Sequence, residues 1–248
     1  MMAGRVETIG AATLYLGDCL SLMHAIGVVD HLIFDPPYES LTQAAIGSVP
    51  KGNLKGASKR LGRPLDFAPI DEIRNDVVGL GALCRGWFIA FCTPEGVARW
   101  ADEINASPLK YKRACVWVKP DATPQFNGAC PASGAENFVC AWAGTGHSRW
   151  NAGGKRGVYT HCVNNPEREG THPTEKPRRL MSEIIADFTC AGQTICGPFM
   201  GSGTTGVAAV MAGRKFVGIE MNPAYFDIAC RRIEDAQRQG SLFAGEAA

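Results

Sequence analysis

The amino-acid sequence predicts an α/β fold with a mostly parallel sheet and helices on both of its faces. Two patterns predict it: short apolar runs alternate with helical stretches, and two of these runs end in turns rich in proline or glycine. The chain has 248 residues, of which 46% are hydrophobic, so a wholly disordered chain, a collagen and a coiled coil are excluded. The formal net charge of +1 disfavours a polybasic nucleic-acid binder but leaves local charged patches open.

The first half of the chain contains four predicted strands and three predicted helices. The two prolines that follow Asp35 cannot continue sheet pairing, so the strand before them ends at Phe34. A helix begins at Pro94, because Thr93 is a suitable cap and proline suits the first helical position. The strands lie at Thr13–Leu16, Asp30–Phe34, Trp87–Cys92 and Tyr111–Val118, and the helices at about Asp18–Ile26, Ile70–Leu83 and Pro94–Ile104.

The second half of the chain begins with an irregular region, residues 119–171, which is rich in glycine, asparagine, proline and aromatic residues. Within it we predict one strand, Asn137–Trp142. Regular patterns return after His172, and they predict that both halves of the chain belong to the same domain. The helices lie at Pro177–Phe188, Thr204–Ala212 and Pro223–Gln239, and the strands at Gln193–Cys196 and Lys215–Glu220.

The ten cysteines are the unusual part of the composition. No pair of them has the C-x-x-C spacing, so neither a zinc ribbon nor a thioredoxin-like site is supported, and we predict no metal site. Several lie in apolar runs, where free cysteine behaves as a small hydrophobic residue. The N-terminal segment has no apolar signal core, and no apolar run approaches the length that spans a bilayer. We therefore expect a reduced, cytoplasmic protein without a membrane partner.

One segment, Lys51–Arg63, concentrates positive charge without any acidic residue. Its glycines and serine indicate a flexible loop, and the simplest interpretation is a solvated surface loop. Because it follows the predicted strand end near Tyr38, where ligands bind in open α/β sheets, we predict that it contacts the phosphates of a ligand. The expected phosphate-binding residues are Lys51, Lys55, Lys59, Arg60 and Arg63.

A glycine-rich turn follows the strand Gln193–Cys196 and opens the next helix. Its glycines at 201, 203 and 206 match G-x-G-x-x-G, which brings backbone N–H groups and a helix N-terminus close to a ligand. Alone, this pattern also fits a plain tight turn, and a P-loop is excluded because no Gly-Lys-Ser/Thr follows. The next strand ends at Glu220, whose carboxylate can accept hydrogen bonds from two ribose hydroxyls. A nucleoside ligand is therefore predicted.

The tetrapeptide Asp35-Pro36-Pro37-Tyr38 ends the strand Asp30–Phe34. Most Asp-Pro turns are structural. This one combines a carboxylate, a carbonyl on Pro36 that no sheet neighbour can use, and an aromatic ring. Two acceptors can hold the two hydrogens of an exocyclic amino group while the ring stacks on a flat base.

Together these features resemble the amino-methylating DNA methyltransferases that use S-adenosylmethionine (AdoMet). The order of the segments is similar to that of the β group, in which the catalytic tetrapeptide precedes the glycine turn. The resemblance spans nearly the whole chain, through Gly17-Asp18-Cys19, Asp35-Pro36-Pro37-Tyr38, Trp117-Val118-Lys119-Pro120, His172-Pro173-Thr174-Glu175-Lys176-Pro177, Pro198-Phe199-Met200-Gly201-Ser202-Gly203-Thr204-Thr205 and Gly218-Ile219-Glu220-Met221-Asn222-Pro223-Ala224-Tyr225-Phe226.

The resemblance implies a Rossmann-like class I methyltransferase fold with a small irregular target-recognition insert. Residues 1–118 would form its catalytic half, 119–171 the target-recognition region and 172–248 the AdoMet-binding half. The implied catalytic residues are Asp35, Pro36, Pro37 and Tyr38. Asp18 would contact the adenine amino group of AdoMet and Glu220 its ribose. Lys176, with Thr174 nearby, would neutralise the methionine carboxylate. The alternatives are that Asp18 is a helix cap and that Lys176 is a surface lysine at a helix start. The other implied cofactor residues are Phe199, Gly201, Ser202, Gly203, Thr204, Thr205 and Asn222.

The implied reaction is methylation of adenine N6 in double-stranded DNA at a flipped base, by a bacterial or phage-encoded enzyme of the restriction-modification or phage type. Asp35 favours adenine, because relatives acting on cytosine N4 more often have serine there. Cytosine N4 remains the alternative, and enzymes acting on protein glutamine or on RNA usually have asparagine at that position. A nicotinamide oxidoreductase would explain the glycine turn but not the tetrapeptide. Whether the chain forms a homodimer or works beside a nuclease stays open.

One residue departs from the family. Where relatives have Asp-Pro-Phe before the glycine turn, this chain has glycine at position 197. The missing carboxylate normally lies near the methionine amino group, and its loss weakens binding by about 1.5–3 kcal/mol. Three alternatives follow: weak AdoMet binding, an acid that substitutes, or a DNA-binding remnant without activity.

Overall fold

The computed structural model describes residues 4–39, 69–124, 131–164 and 175–245, with side chains as far as residue 239. Nine strands of these residues form one sheet in the order β1-β2-β9-β8-β3-β4-β6-β5-β7. The strands are β1 (Arg5–Ile9), β2 (Ala12–Leu16), β3 (His31–Phe34), β4 (Trp87–Cys92), β5 (Lys110–Val118), β6 (Ala135–Trp142), β7 (Val158–Thr160), β8 (Thr194–Gly197) and β9 (Lys215–Glu220).

The five central strands, from β2 to β4 in the sheet order, pair in parallel. Only two of the nine strands run in the opposite direction. β1 forms a hairpin with β2, and β6 lies antiparallel between β4 and β5. The mostly parallel sheet confirms the predicted architecture. The start of β6 consequently lies at the sheet edge where the parallel strands end, because Cys92, the last residue of β4, pairs with Asn137.

Six α-helices of the described residues cover the two faces of the sheet. Residues alternate along each strand, so Leu32 and Phe34 belong to one apolar cluster and Ile33 to the other. The helices α1 (Cys19–Ile26), α2 (Arg74–Gly79) and α3 (Val97–Asn105) pack in the first cluster, and α4 (Arg178–Phe188), α5 (Thr204–Met211) and α6 (Pro223–Gly245) pack in the second. Over the ranges given above, no helix combines the length and apolar character needed to cross a membrane.

The predicted helix Ile70–Leu83 is divided in the structure. A 3-10 turn at Ile70–Glu72 precedes α2, and a second one at Leu80–Leu83 follows it. Glycines at 79 and 81 explain the early end of α2, because glycine disfavours the helical conformation. Two strands, β1 and β7, were not predicted at all.

The irregular region is part of the central sheet rather than an appendage to it. Its two strands, β6 and β7, pair with β5 on opposite sides. Side chains also connect it to α4: the Tyr159 hydroxyl donates to Asp187 at 2.8 Å, and Lys155 Nζ lies 2.6 Å from Glu183. A target-recognition role for 119–171 stays a prediction.

Nine of the ten cysteines fall within the described residues, and all nine are free thiols. Six of them are buried, and burial raises the pKa of Cys19 and of Cys92 to about 12 each. At neutral pH these two side chains are therefore protonated and behave as the small apolar residues that the sequence predicts.

Replacing Gly206 by alanine should destabilise the protein. An added Cβ there would lie 2.7 Å from both Phe216 and Ile233, and overpacking a core typically costs about 1–3 kcal/mol. The matched control is Gly79→Ala, because nothing lies within 4 Å of a Cβ at that helical position. Its free energy of unfolding should stay the same or rise by about 0.5–1 kcal/mol. Urea denaturation of the two variants checks this, and equal stabilities would contradict the packing argument.

Candidate active site

The tetrapeptide and the glycine turn lie side by side, because they follow adjacent parallel strands. β3 pairs with β8, and Asp35 comes directly after β3. The turn follows β8, and the rings of Phe34 and Phe199 are 5.8 Å apart. After β3 the chain continues to β4, and after β8 it continues to β9. These two strands lie on opposite sides of the β3–β8 pair. The gap between β3 and β8 is therefore the switch point at which open α/β sheets bind ligands.

The glycine turn has the backbone conformation that its sequence requires. Gly201 and Gly203 have φ of 55° and 84°, which side chains other than glycine rarely adopt. A Cβ on Gly203 would also meet Ala229 of α6 at 2.9 Å. The turn thus passes close to α6 at the sheet edge.

The Glu220 carboxylate lies at the end of β9 and faces this turn. It accepts hydrogen bonds from the N–H groups of Gly201 and Asn222, both at 2.8 Å. Burial raises the pKa of Glu220, and these hydrogen bonds oppose the rise. Each of its oxygens keeps a further lone pair, so the residue fits a ligand with two neighbouring hydroxyl groups.

Asp18 and Asn222 both cap helices. Asp18 Oδ2 accepts from the N–H and the hydroxyl of Ser21, at 2.9 and 2.7 Å, and so caps α1. The neighbouring Gly17 N–H donates to the Glu220 carbonyl at 2.9 Å, which holds Asp18 beside the end of β9. Asn222 Oδ1 accepts from the Ala224 N–H at 2.9 Å, at the start of α6. Ligand contacts for these two residues remain predictions.

Asp35 is held by a lysine rather than by the backbone. Lys176 Nζ donates to its Oδ2 at 2.7 Å, while Oδ1 has no hydrogen bond from any described residue. Burial raises the pKa of Asp35, and the ammonium of Lys176 opposes this rise. The Pro36 carbonyl likewise accepts no hydrogen bond within the described part of the chain. Two acceptors of the tetrapeptide are therefore available to a ligand.

Lys176 is almost completely enclosed, with 6% of its side chain exposed. Besides Asp35 it contacts Glu136, whose Oε2 lies 3.0 Å from Nζ, and its ammonium lies 5.6 Å from the centre of the Tyr38 ring. Burial lowers the pKa of Lys176, but the two carboxylates outweigh it and raise the pKa well above the usual value. Its predicted contact with a cofactor carboxylate remains a prediction, and such a ligand would compete with Asp35 and Glu136.

Sequence reasoning missed Glu136, the second residue of β6. The predicted strand began one residue later, at Asn137, in a region interpreted as irregular. The only available signal was a single acid before an apolar run, which by itself indicates little. Its importance depends on the antiparallel direction of β6, which places its first residues beside the ends of β3 and β4.

A buried ion pair, Glu175 with Arg232, was also missed. Arg232 Nη2 donates to Glu175 Oε1 at 2.6 Å, and Nη1 donates to the Ser202 carbonyl and hydroxyl at 2.8 and 2.9 Å. The hydroxyl of Thr204 lies 3.3 Å from the same nitrogen. Ser202 and Thr204, predicted as ligand contacts, thus direct their hydroxyls toward Arg232. The pair joins α6, the glycine turn and the segment before α4.

Position 197 has a packing reason to be glycine. A Cβ there would lie 3.2 Å from Cζ of Phe216, on the neighbouring strand β9. The ring also fills the space beside Gly206 and Gly218. An aspartate at this position would require the ring to move.

Several predicted site residues lie outside the described residues, and their roles stay predictions. They are Thr174 of the proposed cofactor set and the basic residues Lys51, Lys55, Lys59, Arg60 and Arg63. Phe199 and Thr205 belong to the described turn and are partly buried there.

Comparison with known proteins gives a family and several relatives. A sequence model of the DNA methylase family of N6 and N4 enzymes matches residues 29–231. The type II methyltransferase M.Cfr9I of Citrobacter freundii is 30% identical over 267 aligned positions, covering 91% of this chain and 89% of that protein. M2.DpnII of Streptococcus pneumoniae is 49% identical over 65 residues, covering 26% of this chain and 24% of the relative. The DNA adenine methyltransferase YhdJ of Escherichia coli K12 is 45% identical over 65 residues, covering 26% and 22%.

Two solved structures share the fold. The PvuII cytosine-N4-specific DNA methyltransferase superposes with a TM-score of 0.71 at 16% identity, covering 96% of both chains. The M1.HpyAVI-SAM complex superposes with a TM-score of 0.67 at 23% identity, covering 90% of this chain and 98% of that one. The predicted class I fold is thereby confirmed.

The ion pair of Glu175 with Arg232 should be coupled energetically. Either Glu175→Gln or Arg232→Met leaves one buried charge without its partner and should cost about 3–5 kcal/mol of unfolding free energy. The double variant should cost much less than the sum, because no unpaired charge remains. Urea denaturation of the four proteins measures the coupling.

A matched control is Arg238→Met on the same helix, since Arg238 and Asp235 form an ion pair with 67% and 61% of their side chains exposed. That variant should lose no more than about 1 kcal/mol. Strictly additive losses at positions 175 and 232 would show that the pair is not coupled.

Proposed function

Because this chain belongs to the DNA methylase family of N6 and N4 enzymes, matched over residues 29–231, we propose that it transfers a methyl group from AdoMet to an exocyclic amino group of a DNA base. The observation that carries the proposal is the pair of open acceptors at the end of β3. Asp35 Oδ1 and the Pro36 carbonyl have no hydrogen bonds from the described residues. They lie beside a glycine turn at the switch point of the sheet.

The residues at the ends of β8 and β9 fit the adenosine part of AdoMet. Glu220 offers acceptors for the ribose hydroxyls, and the glycines at 201 and 203, which have positive φ and no side chain, let the backbone approach closely. At the methionine end the fit is less complete, since Gly197 stands where the family has an aspartate. We propose that AdoMet binds in this gap with reduced affinity.

When bound, AdoMet would supply an electrophilic methyl group whose bond to the sulfonium sulfur breaks as the N–C bond forms; a neutral thioether would leave, and the methylated amino group would lose one proton to solvent. The chain's own residues act on the base. Its amino nitrogen shares its lone pair with the ring, and hydrogen bonds to Asp35 and to the Pro36 carbonyl favour the pyramidal form in which the lone pair is localised. These acceptors stabilise the transition state more than the ground state. The Tyr38 ring stacks on the base and fixes its plane, so the nitrogen is aimed at the methyl group.

We propose adenine N6 as the target. Two arguments support it: relatives that act on cytosine N4 more often have serine in place of Asp35, and YhdJ, which matches a 65-residue segment, is a DNA adenine methyltransferase. Cytosine N4 is the second candidate, because the fold neighbour from the PvuII system is cytosine-N4-specific. Digesting methylated DNA to nucleosides and identifying the product by mass spectrometry distinguishes N6-methyladenine from N4-methylcytosine.

The proposed partner is double-stranded DNA from which the target base is flipped, because an amino group inside the duplex cannot reach Asp35. The basic segment Lys51–Arg63 would contact its phosphates. The chain matches only about a quarter of the length of M2.DpnII and of YhdJ, 24% and 22% respectively. The proposal therefore concerns the methyltransferase reaction and no larger assembly.

Replacing Asp35 by alanine or asparagine should lower kcat by at least about a hundredfold, because a charged acceptor that acts in the transition state is lost. AdoMet binding, measured by titration calorimetry, should change little. The reaction is followed with labelled AdoMet and duplex DNA. Asp76→Ala, an exposed change on α2, is the control and should keep full activity. Undiminished turnover by Asp35→Ala would refute the assignment.

Restoring the missing aspartate should strengthen AdoMet binding once Phe216 leaves room for it. In a Phe216→Leu background, Gly197→Asp should lower the Kd for AdoMet by about ten- to a hundredfold, the value of one charged hydrogen bond. The matched control is Gly197→Ala in the same background, which adds the Cβ without the carboxylate. Equal Kd values for the two would mean that no amino group of the ligand lies near position 197.

A further inference from the structure

Glu136 is a buried carboxylate that the reaction described above does not use. It belongs to the start of β6, which lies at the sheet edge where β3 and β4 end. Lys119 Nζ donates to its Oε1, and Lys176 Nζ lies 3.0 Å from its Oε2. Each oxygen of Glu136 therefore faces a lysine ammonium.

Asp35 and Glu136 share one ammonium. Lys176 Nζ lies 2.7 Å from Asp35 Oδ2 and 3.0 Å from Glu136 Oε2. The exposed fraction of the side chain is 6% for Lys176, 13% for Glu136 and 26% for Asp35. Asp35 is therefore the member of this group that remains open to a ligand.

We propose that Glu136 is a positioning residue for methyl transfer, which shares Lys176 with Asp35 and thereby keeps the Asp35 carboxylate available to the target amino group. The inference rests on the proposed function, in which Asp35 accepts that amino group. It assigns Glu136 no contact with the base or with AdoMet.

The physical reason is a balance of charge. Without any cation beside it, the half-buried carboxylate of Asp35 would tend to take up a proton, and a protonated acid is a poorer acceptor. With Lys176 bound to it alone, a strong charge-assisted pair would withdraw negative charge from the oxygens that must hold the amino group. Sharing Lys176 with Glu136 avoids both extremes. Lys119 then compensates the second carboxylate, so two ammonium groups face two carboxylates.

The pH dependence of the reaction reports how the charges of Glu136, Lys176 and Lys119 affect the ionisation of Asp35. Among the described residues, the titratable groups that face Glu136 are Lys119 after β5, Lys176 before α4, Asp35 and Tyr38 after β3, and Cys92 at the end of β4. Burial raises the pKa of Asp35; Lys176 and Lys119 lower it, while Glu136 raises it further. Activity requires ionised Asp35, so it is lost as the pH falls through this pKa. Removing the charge of Glu136 should extend activity to lower pH, and removing that of Lys119 should do the opposite.

The experiment compares Glu136→Gln and Lys119→Gln with the unchanged protein, using labelled AdoMet and duplex DNA across the pH range in which circular dichroism shows each variant folded. At neutral pH Glu136→Gln should lower kcat about tenfold with an unchanged KM for AdoMet. Its acid limb should move down by about one pH unit, and that of Lys119→Gln should move up by a similar amount. Glu183→Gln is the matched control, because that acid pairs with Lys155 and His161 away from Asp35. Its profile should not move.

An acid limb that stays fixed in Glu136→Gln, or that moves in the same direction in both variants, overturns the proposal. So does a rise in the KM for AdoMet without any shift of the limb, because Lys176 would then serve the cofactor alone. If Glu136→Gln does not fold, Lys119→Gln still tests the proposal, because removing that positive charge should move the acid limb to higher pH. The Asp35→Ala variant separates the two hypotheses. If the unchanged protein is as inactive as Asp35→Ala, the proposed function fails; if only the Glu136 results fail, the proposed function stands.

Discussion

The parallel pairing of β3 with β8 is the constraint on which the site depends. The tetrapeptide and the glycine turn are more than 160 residues apart in sequence, yet His31 pairs with Ile195 in the sheet. Both strands then end at the same edge, and their connections leave in opposite directions. The gap that results lies between the acceptors of Asp35 and Pro36 on one side and the glycine turn on the other.

Two consecutive residues before α4 connect the halves of this gap. Glu175 pairs with Arg232 and, through it, with the glycine turn, while Lys176 pairs with Asp35. A shift of this dipeptide would therefore displace contacts to the glycine turn and to Asp35 together. Buried charges of this kind contribute little net stability, but they are costly to leave unpaired. Both pairs are therefore held together beside the gap by contacts that are costly to break.

The irregular region has two roles that its composition conceals. Its strands β6 and β7 belong to the sheet, and the start of β6 lies at the edge where the parallel strands end. Because β6 is antiparallel, its first residues lie beside the carboxyl ends of the parallel strands, and Glu136 brings an acid there. In sheets of this kind the polar groups at that edge usually come from loops. A region interpreted as a recognition insert therefore also contributes to the charge balance around Asp35.

The sequence by itself determined the fold class, most strand and helix positions, and the segments that form the site. Apolar periodicity, the prolines after Asp35 and the spaced glycines are local signals, and local rules suffice to interpret them. Only the tertiary structure decided that Lys176 binds Asp35, that Arg232 holds the glycine turn, and that Phe216 fills the space beside Gly197. These depend on strand order, on strand direction and on which side chains share a buried space. Such contacts join residues that are distant in the chain, so no local pattern in the sequence contains them.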